Sequence, residues 1–63
     1  MPYVSIRVAG RLSREQKAKI SEGVTKVIAQ VAEKPEDSIL VFIDELPREN
    51  IAVAGRLLDQ PGS

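Results

Sequence analysis

Residues 3–8 alternate strictly, with Val4, Ile6 and Val8 on one side and Tyr3, Ser5 and Arg7 on the other, which is the two-residue period of a strand with one covered face. Ala9-Gly10-Arg11-Leu12 breaks the alternation, and Ser13-Arg14-Glu15-Gln16 follows. This is a capping box: the Ser13 hydroxyl can accept from the Gln16 amide while the Gln16 side chain returns to the Ser13 amide. Ile20, Val24, Val27, Ile28 and Val31 then recur at helical spacing, and Lys17, Lys19, Glu22, Lys26 and Glu33 fall largely off that stripe. The pattern predicts a helix of about five turns that starts at the box. Pro35 stops it by disfavouring the helical conformation at Lys34. Ile39-Leu40-Val41-Phe42-Ile43 is rich in β-branched residues and too short for a helix, so it predicts a second strand, apolar on both faces. Leu46-Pro47-Arg48-Glu49-Asn50 reads as a turn and Ile51-Ala52-Val53-Ala54-Gly55 as a short extended or hairpin segment. Residues 59–63 read as a frayed tail.

Strand, helix, strand makes an α/β fold: a β-α-β protomer with two parallel strands joined by a right-handed crossover, one long helix and a short C-terminal hairpin segment. One helix covers one face of such a sheet, leaving the other face and both edges open. The chain has 63 residues, read as one domain over 1–63, and chains this small usually need a disulfide, a metal or a partner. Cysteine and histidine are both absent, so there is no disulfide, and the thiolate and imidazole ligands of structural zinc are missing. Self-association remains, with copies pairing edges to extend the sheet and layers stacking to bury its second face.

Composition narrows the chemistry. Nine Lys and Arg balance nine Asp and Glu, and Tyr3 and Phe42 are the only aromatic residues, which leaves neither a basic nor a base-stacking surface for nucleic acid. No apolar run approaches the ~20 residues of a membrane span, and no leader pattern opens the chain. We therefore expect a soluble, cytoplasmic protein without a membrane partner. Without His or Cys, Ser-His-Asp and Cys-His triads are excluded, and acid-base work falls to carboxylates, amines, Tyr or the chain terminus. Pro2 follows the initiator. Methionine is normally trimmed before so small a residue, so the mature chain is expected to begin with a secondary amine. An α-amino group titrates at about 7.7–8.0, and an apolar pocket disfavours its charged form, so Pro2 could act as general base and then acid. Taken by itself, a proline in second position is common and reads first as the mere start of an edge strand. Asp44 and Glu45 are adjacent but point to opposite strand faces, and read as a solvated strand end or ion-pair partners. Gly23, in mid-helix at a cost of about 1 kcal/mol relative to alanine, points to close approach of another backbone.

Met1-Pro2-Tyr3-Val4-Ser5-Ile6, Ser13-Arg14-Glu15-Gln16-Lys17, the strand end Ile43-Asp44-Glu45, and Pro47-Arg48-Glu49-Asn50 with Ala52-Val53-Ala54-Gly55 together resemble the 4-oxalocrotonate tautomerase family in order, spacing and length. The resemblance implies a β-α-β protomer, assembly usually as a hexamer built from dimers, and an amino-terminal proline that transfers the proton. It also implies two arginines supplied across subunits to grip substrate carboxylates, and an aromatic residue that keeps the pocket apolar.

At all three of these positions the chain departs from the pattern. Leu12 stands where the first arginine directly precedes the capping serine, with Arg11 one residue earlier; Leu40 stands at the second arginine and Ile51 at the aromatic position. Losing one carboxylate fork weakens a dicarboxylate specialist, so a monocarboxylate, or a substrate held by another arginine, is favoured. Arg7, Arg48 and Arg56 are the other candidates, each of which could equally be a solvated or ion-paired surface residue. The expectation is a cofactor-free, metal-free isomerase that moves a proton between oxygen and carbon of an enol or dienol carboxylic acid, of the 2-hydroxy-dienoate to 2-oxo acid type. Pro2 is its catalytic residue, and Arg11, Arg7, Ile51 and Leu40 line the substrate, in a homohexamer. The alternatives are a dehalogenase or hydratase reaction on the same scaffold, or a non-catalytic subunit of a hetero-oligomer, for which Leu12 and Leu40 are the best argument.

Overall fold

Tyr3–Ala9 (β1) and Leu40–Leu46 (β2) pair in parallel, Tyr3 opposite Leu40 through Ala9 opposite Leu46, in a computed structural model that describes residues 1–60. The connection is the helix Arg14–Ala32 (α1), so the β-α-β reading holds. Both bonds of the capping box form: the Gln16 amide donates to Ser13 Oγ at 3.1 Å and the Ser13 amide to Gln16 Oε1 at 2.8 Å. The helix ends earlier than Pro35 predicts, because Glu33 turns left-handed at φ 55° and its amide closes on the Ala29 carbonyl, a cap more often made by glycine. A 3-10 turn over Glu36–Ser38 then feeds β2.

β2 runs three residues past its apolar stretch, since Asp44, Glu45 and Leu46 find register partners in Arg7, Val8 and Ala9. Beyond it a 3-10 turn, Arg48–Asn50, leads to the hairpin of Ala52–Val53 (β3) and Arg56–Leu57 (β4). Its two central residues, Ala54 at φ 52° and Gly55 at φ 79°, are those of a type I′ turn, whose twist matches the strands it joins. The expected fraying does not reach Gln60: its side chain accepts from the Leu57 amide at 2.7 Å and its amide donates to the Leu57 carbonyl at 3.1 Å. The rest of that predicted tail, residues 61–63, lies outside the described residues.

Val4, Ile6, Val8, Val41 and Ile43 are half-buried on the helix side of the sheet. The opposite face is bare, with Tyr3 67%, Phe42 46% and Leu40 38% exposed, and no described side chain is fully buried. The second strand is thus apolar on both faces as read, but the protomer covers only one of them. The radius of gyration is 15.0 Å, against the roughly 11 Å of a compact chain this long. The long dimension, 45 Å, exceeds the ~23 Å of a seven-residue strand and the ~28 Å of a nineteen-residue helix, so the carboxy-terminal segment projects past the end of the sheet.

Candidate active site

Parallel pairing puts the amino ends of both strands together. Pro2, half-buried, heads β1, and its carbonyl accepts from the Leu40 amide at 3.0 Å. Leu40 lies opposite Tyr3 on the bare face, where the Tyr3 and Phe42 rings meet edge to face at 5.9 Å and 78°. The bare face next to Pro2 thus carries an apolar cluster of Tyr3, Leu40 and Phe42. Arg7 lies further along the same face, 3.9 Å from Asp44 and well exposed. Such a pair contributes little and leaves the guanidinium accessible.

At the other end of the sheet Gly10, at φ 97°, turns the chain out of β1, and Arg11 stands exposed just after it. The Gly10 amide donates to the Leu46 carbonyl at 2.9 Å and the Leu12 amide to Glu45 Oε2 at 2.8 Å; Lys17 Nζ donates to Glu45 Oε1 at 2.7 Å. The Lys17 hydrogen bond, then the Leu12 amide and the nearby charges of Lys17 and Arg11, hold the Glu45 carboxyl below its ordinary 4.5. Of the two adjacent carboxylates, Asp44 faces Arg7 and Glu45 faces the helix, so both are ion-pair partners and they form no acid-base dyad. The tie from Glu45 to a backbone amide 33 residues away has no local sequence signal.

Ile51, half-buried, closes the base of the hairpin, its carbonyl accepting from the Leu58 amide at 2.9 Å. Arg48 and Arg56 are exposed on the carboxy-terminal turn and hairpin. The predicted residues thus divide. Pro2 and Leu40 come together; Arg11 stands beyond the far end of β1, roughly 23 Å of strand away at ~3.3 Å per residue; the segment carrying Ile51 follows the far end of β2; and Arg7 lies between. A methyl group placed on Gly23 would meet no heavy atom within 4 Å, so the close approach expected there is not made within the protomer. Gly23 lies instead in an open apolar groove of about 490 Å³ with Lys19, Ile20, Val24, Val27 and Ile28. Among the described residues no group of three or more carboxylate, His or Cys side chains could hold a metal ion, and no helix is long and apolar enough to cross a membrane.

The protomer is thus a short β-α-β unit with a proline at the head of its first strand and Arg11 beyond the far end of that strand. The chain belongs to the tautomerase family: the family model described as "Tautomerase enzyme" matches residues 2–60. It is 36% identical over 58 residues to a probable tautomerase of Bacillus cereus, covering 92% of this chain and 95% of that one. With the 2-hydroxymuconate tautomerase of Bacillus subtilis the identity is again 36% over 58 residues, covering 92% and 94%. Among solved structures, a homologue of 4-oxalocrotonate tautomerase superposes with a TM-score of 0.87 at 35% identity, covering 94% of this chain and 98% of that one. The protein is accordingly an isomerase of the tautomerase type.

Proposed function

We propose that the protein moves a proton between oxygen and carbon of an enol or dienol acid bearing one carboxylate, at sites shared between copies of the chain. The observation that carries this reading is the placement of Pro2: half-buried at the head of β1, its carbonyl fixed by the Leu40 amide at the edge of an apolar sheet face. Once Met1 is removed, Pro2 becomes a secondary amine. An apolar pocket closed over it by neighbouring copies would favour its neutral form. It takes the proton of the 2-hydroxyl as that O–H bond breaks, the double bonds shift to give the 2-oxo group, and the ammonium returns the proton to carbon. Arg11 of a neighbouring copy binds the carboxylate through its planar fork, holding substrate and transition state alike. Ile51 of that copy keeps the pocket apolar, and Arg7, exposed on the bare face, is a further candidate cation. Leu40 supplies no charge for a second carboxylate, which is why a monocarboxylate fits better than a dicarboxylate. The assembly that forms these sites is read as a homohexamer in the cytoplasm.

Shared sites have a direct test. P2A and R11A proteins are each dissociated, mixed in equal amounts and reassembled, and ketonisation of an enol acid is followed by ultraviolet absorbance. With random exchange in a symmetric oligomer, about one quarter of the sites pair an intact Pro2 with an intact Arg11 from another copy, and activity rises well above either parent. If both groups serve one site within a single chain, no mixed site is whole and the mixture stays at the parental level.

A further inference from the structure

We propose that Glu45 is the positioning residue for Arg11. This rests on the reading of Arg11 as the carboxylate-binding group. Arg11 sits in a turn between a strand and a helix, next to a glycine at φ 97°, where the chain could otherwise hinge. On one side of it the Gly10 amide is fixed to the Leu46 carbonyl at 2.9 Å. On the other, the Leu12 amide is fixed to Glu45 Oε2 at 2.8 Å, and the Ser13 amide is held by the Gln16 side chain. The second oxygen of Glu45 takes Lys17 Nζ at 2.7 Å, so one carboxylate ties both the turn and the start of α1 to the end of β2. Glu45 itself stands on a strand whose pairing with β1 extends through the next residue, Leu46, so the anchor is as rigid as the sheet. Arg11 therefore leaves a turn that is clamped on both flanks while its own side chain remains exposed. A cation that must reach another copy benefits from such a clamp, because ordering completed during folding is not charged against binding.

Glu45 and Lys17 are only partly covered, with 27% and 36% of their side chains exposed. Water can satisfy the Leu12 amide and the Lys17 ammonium once the carboxylate is gone. The effect of removing Glu45 thus falls on the turn more than on the fold.

The experiment is steady-state kinetics with an enol monocarboxylate and with its methyl ester, on E45A, E45Q, R11A and the double variant E45A/R11A, each shown to assemble like the parent. E45A raises KM for the acid about tenfold with kcat within about twofold, the split expected when ground-state and transition-state binding weaken together. It leaves the ester unaffected. E45Q keeps an acceptor for the Leu12 amide and restores KM to within about threefold of the parent, while E45A/R11A is no worse than R11A, as coupling through one group requires. Should E45A fail to assemble, E45V, whose β-branched side chain suits a strand, carries the same expectation. The proposal is overturned if E45A affects acid and ester equally, if its effect persists in the R11A background, or if R11A raises KM while E45A does not. That last result leaves the reading of Arg11 standing. An R11A protein that binds the acid like the parent overturns the reading of Arg11, and the positioning role with it.

Discussion

Replacing Phe42 by alanine tests whether the bare face of the sheet is an interface. A phenylalanine side chain presents about 200 Å² to solvent when free, and Phe42 keeps 46% of its exposure in the protomer, leaving roughly 90 Å² for a partner to cover. At about 25 cal/mol per Å² this is close to 2 kcal/mol per copy. A two-fold contact uses the residue twice, so the dissociation constant should rise by about three orders of magnitude. The edge-to-face pair with Tyr3 is lost as well, at about 0.5–1.5 kcal/mol, but that loss is internal to the protomer and independent of concentration. Sedimentation velocity and specific activity, both followed over an about thousandfold dilution series, separate the two effects, since only the interface contribution responds to mass action. F42A should dissociate and lose activity at concentrations where the parent stays assembled. If its mass and specific activity superpose on the parent's at every dilution, the bare face is not an interface and the argument from burial is wrong.

Pro2→Ala leaves a primary, less constrained amine on the mature chain and should lower kcat by about two to four orders of magnitude, with unchanged assembly by sedimentation. The Glu45 carboxyl titrates below its ordinary 4.5 in the folded protein, so its contribution to stability is complete above that value and is lost as pH falls through the lowered one; urea midpoints across that window should decline with acid in the parent and run flatter in E45Q. Ala54, at φ 52°, should accept glycine with a net gain of about 0.5 kcal/mol, the relief of ~1–2 kcal/mol of left-handed strain being partly offset by a more flexible unfolded chain; a higher urea midpoint at fixed protein concentration checks it. Leu40→Arg places a fork-shaped cation near Pro2 and should shift the kcat/KM ratio of dicarboxylate to monocarboxylate upward about tenfold.

The parts of the fold that were legible in the sequence rest on local signals. Alternation over residues 3–8 and the reciprocal box at Ser13 and Gln16 each lie within one turn or one strand, and β1 and the start of α1 follow from them. The end of α1 and the reach of β2 depend on information that is not local. Glu33 takes a left-handed conformation that its residue type does not advertise, and Asp44 to Leu46 are strand because Arg7 to Ala9 stand beside them. The site divides in the same way. Pro2 is visible as a position in the chain, and the apolar Leu40 stands out against a family pattern, but that the two touch comes from the strand register. The clamp on the Arg11 turn was invisible because it joins groups 33 residues apart.

One shortfall underlies both the stability and the chemistry of this chain. In the proposed assembly other copies cover the sheet of a protomer that has no fully buried described side chain, and they complete a site whose Pro2 and Arg11 stand at opposite ends of one strand. Two-fold pairing does both. A copy laid antiparallel along a free edge carries its own amino end to the Arg11 end of the first and receives the reverse in return, so each such contact extends the sheet and creates two equivalent sites. Folding, association and turnover are then linked through the same apolar residues. A substitution on the bare face, far from any substrate, should therefore lower activity in proportion to the copies it releases, and raising the protein concentration should restore that activity.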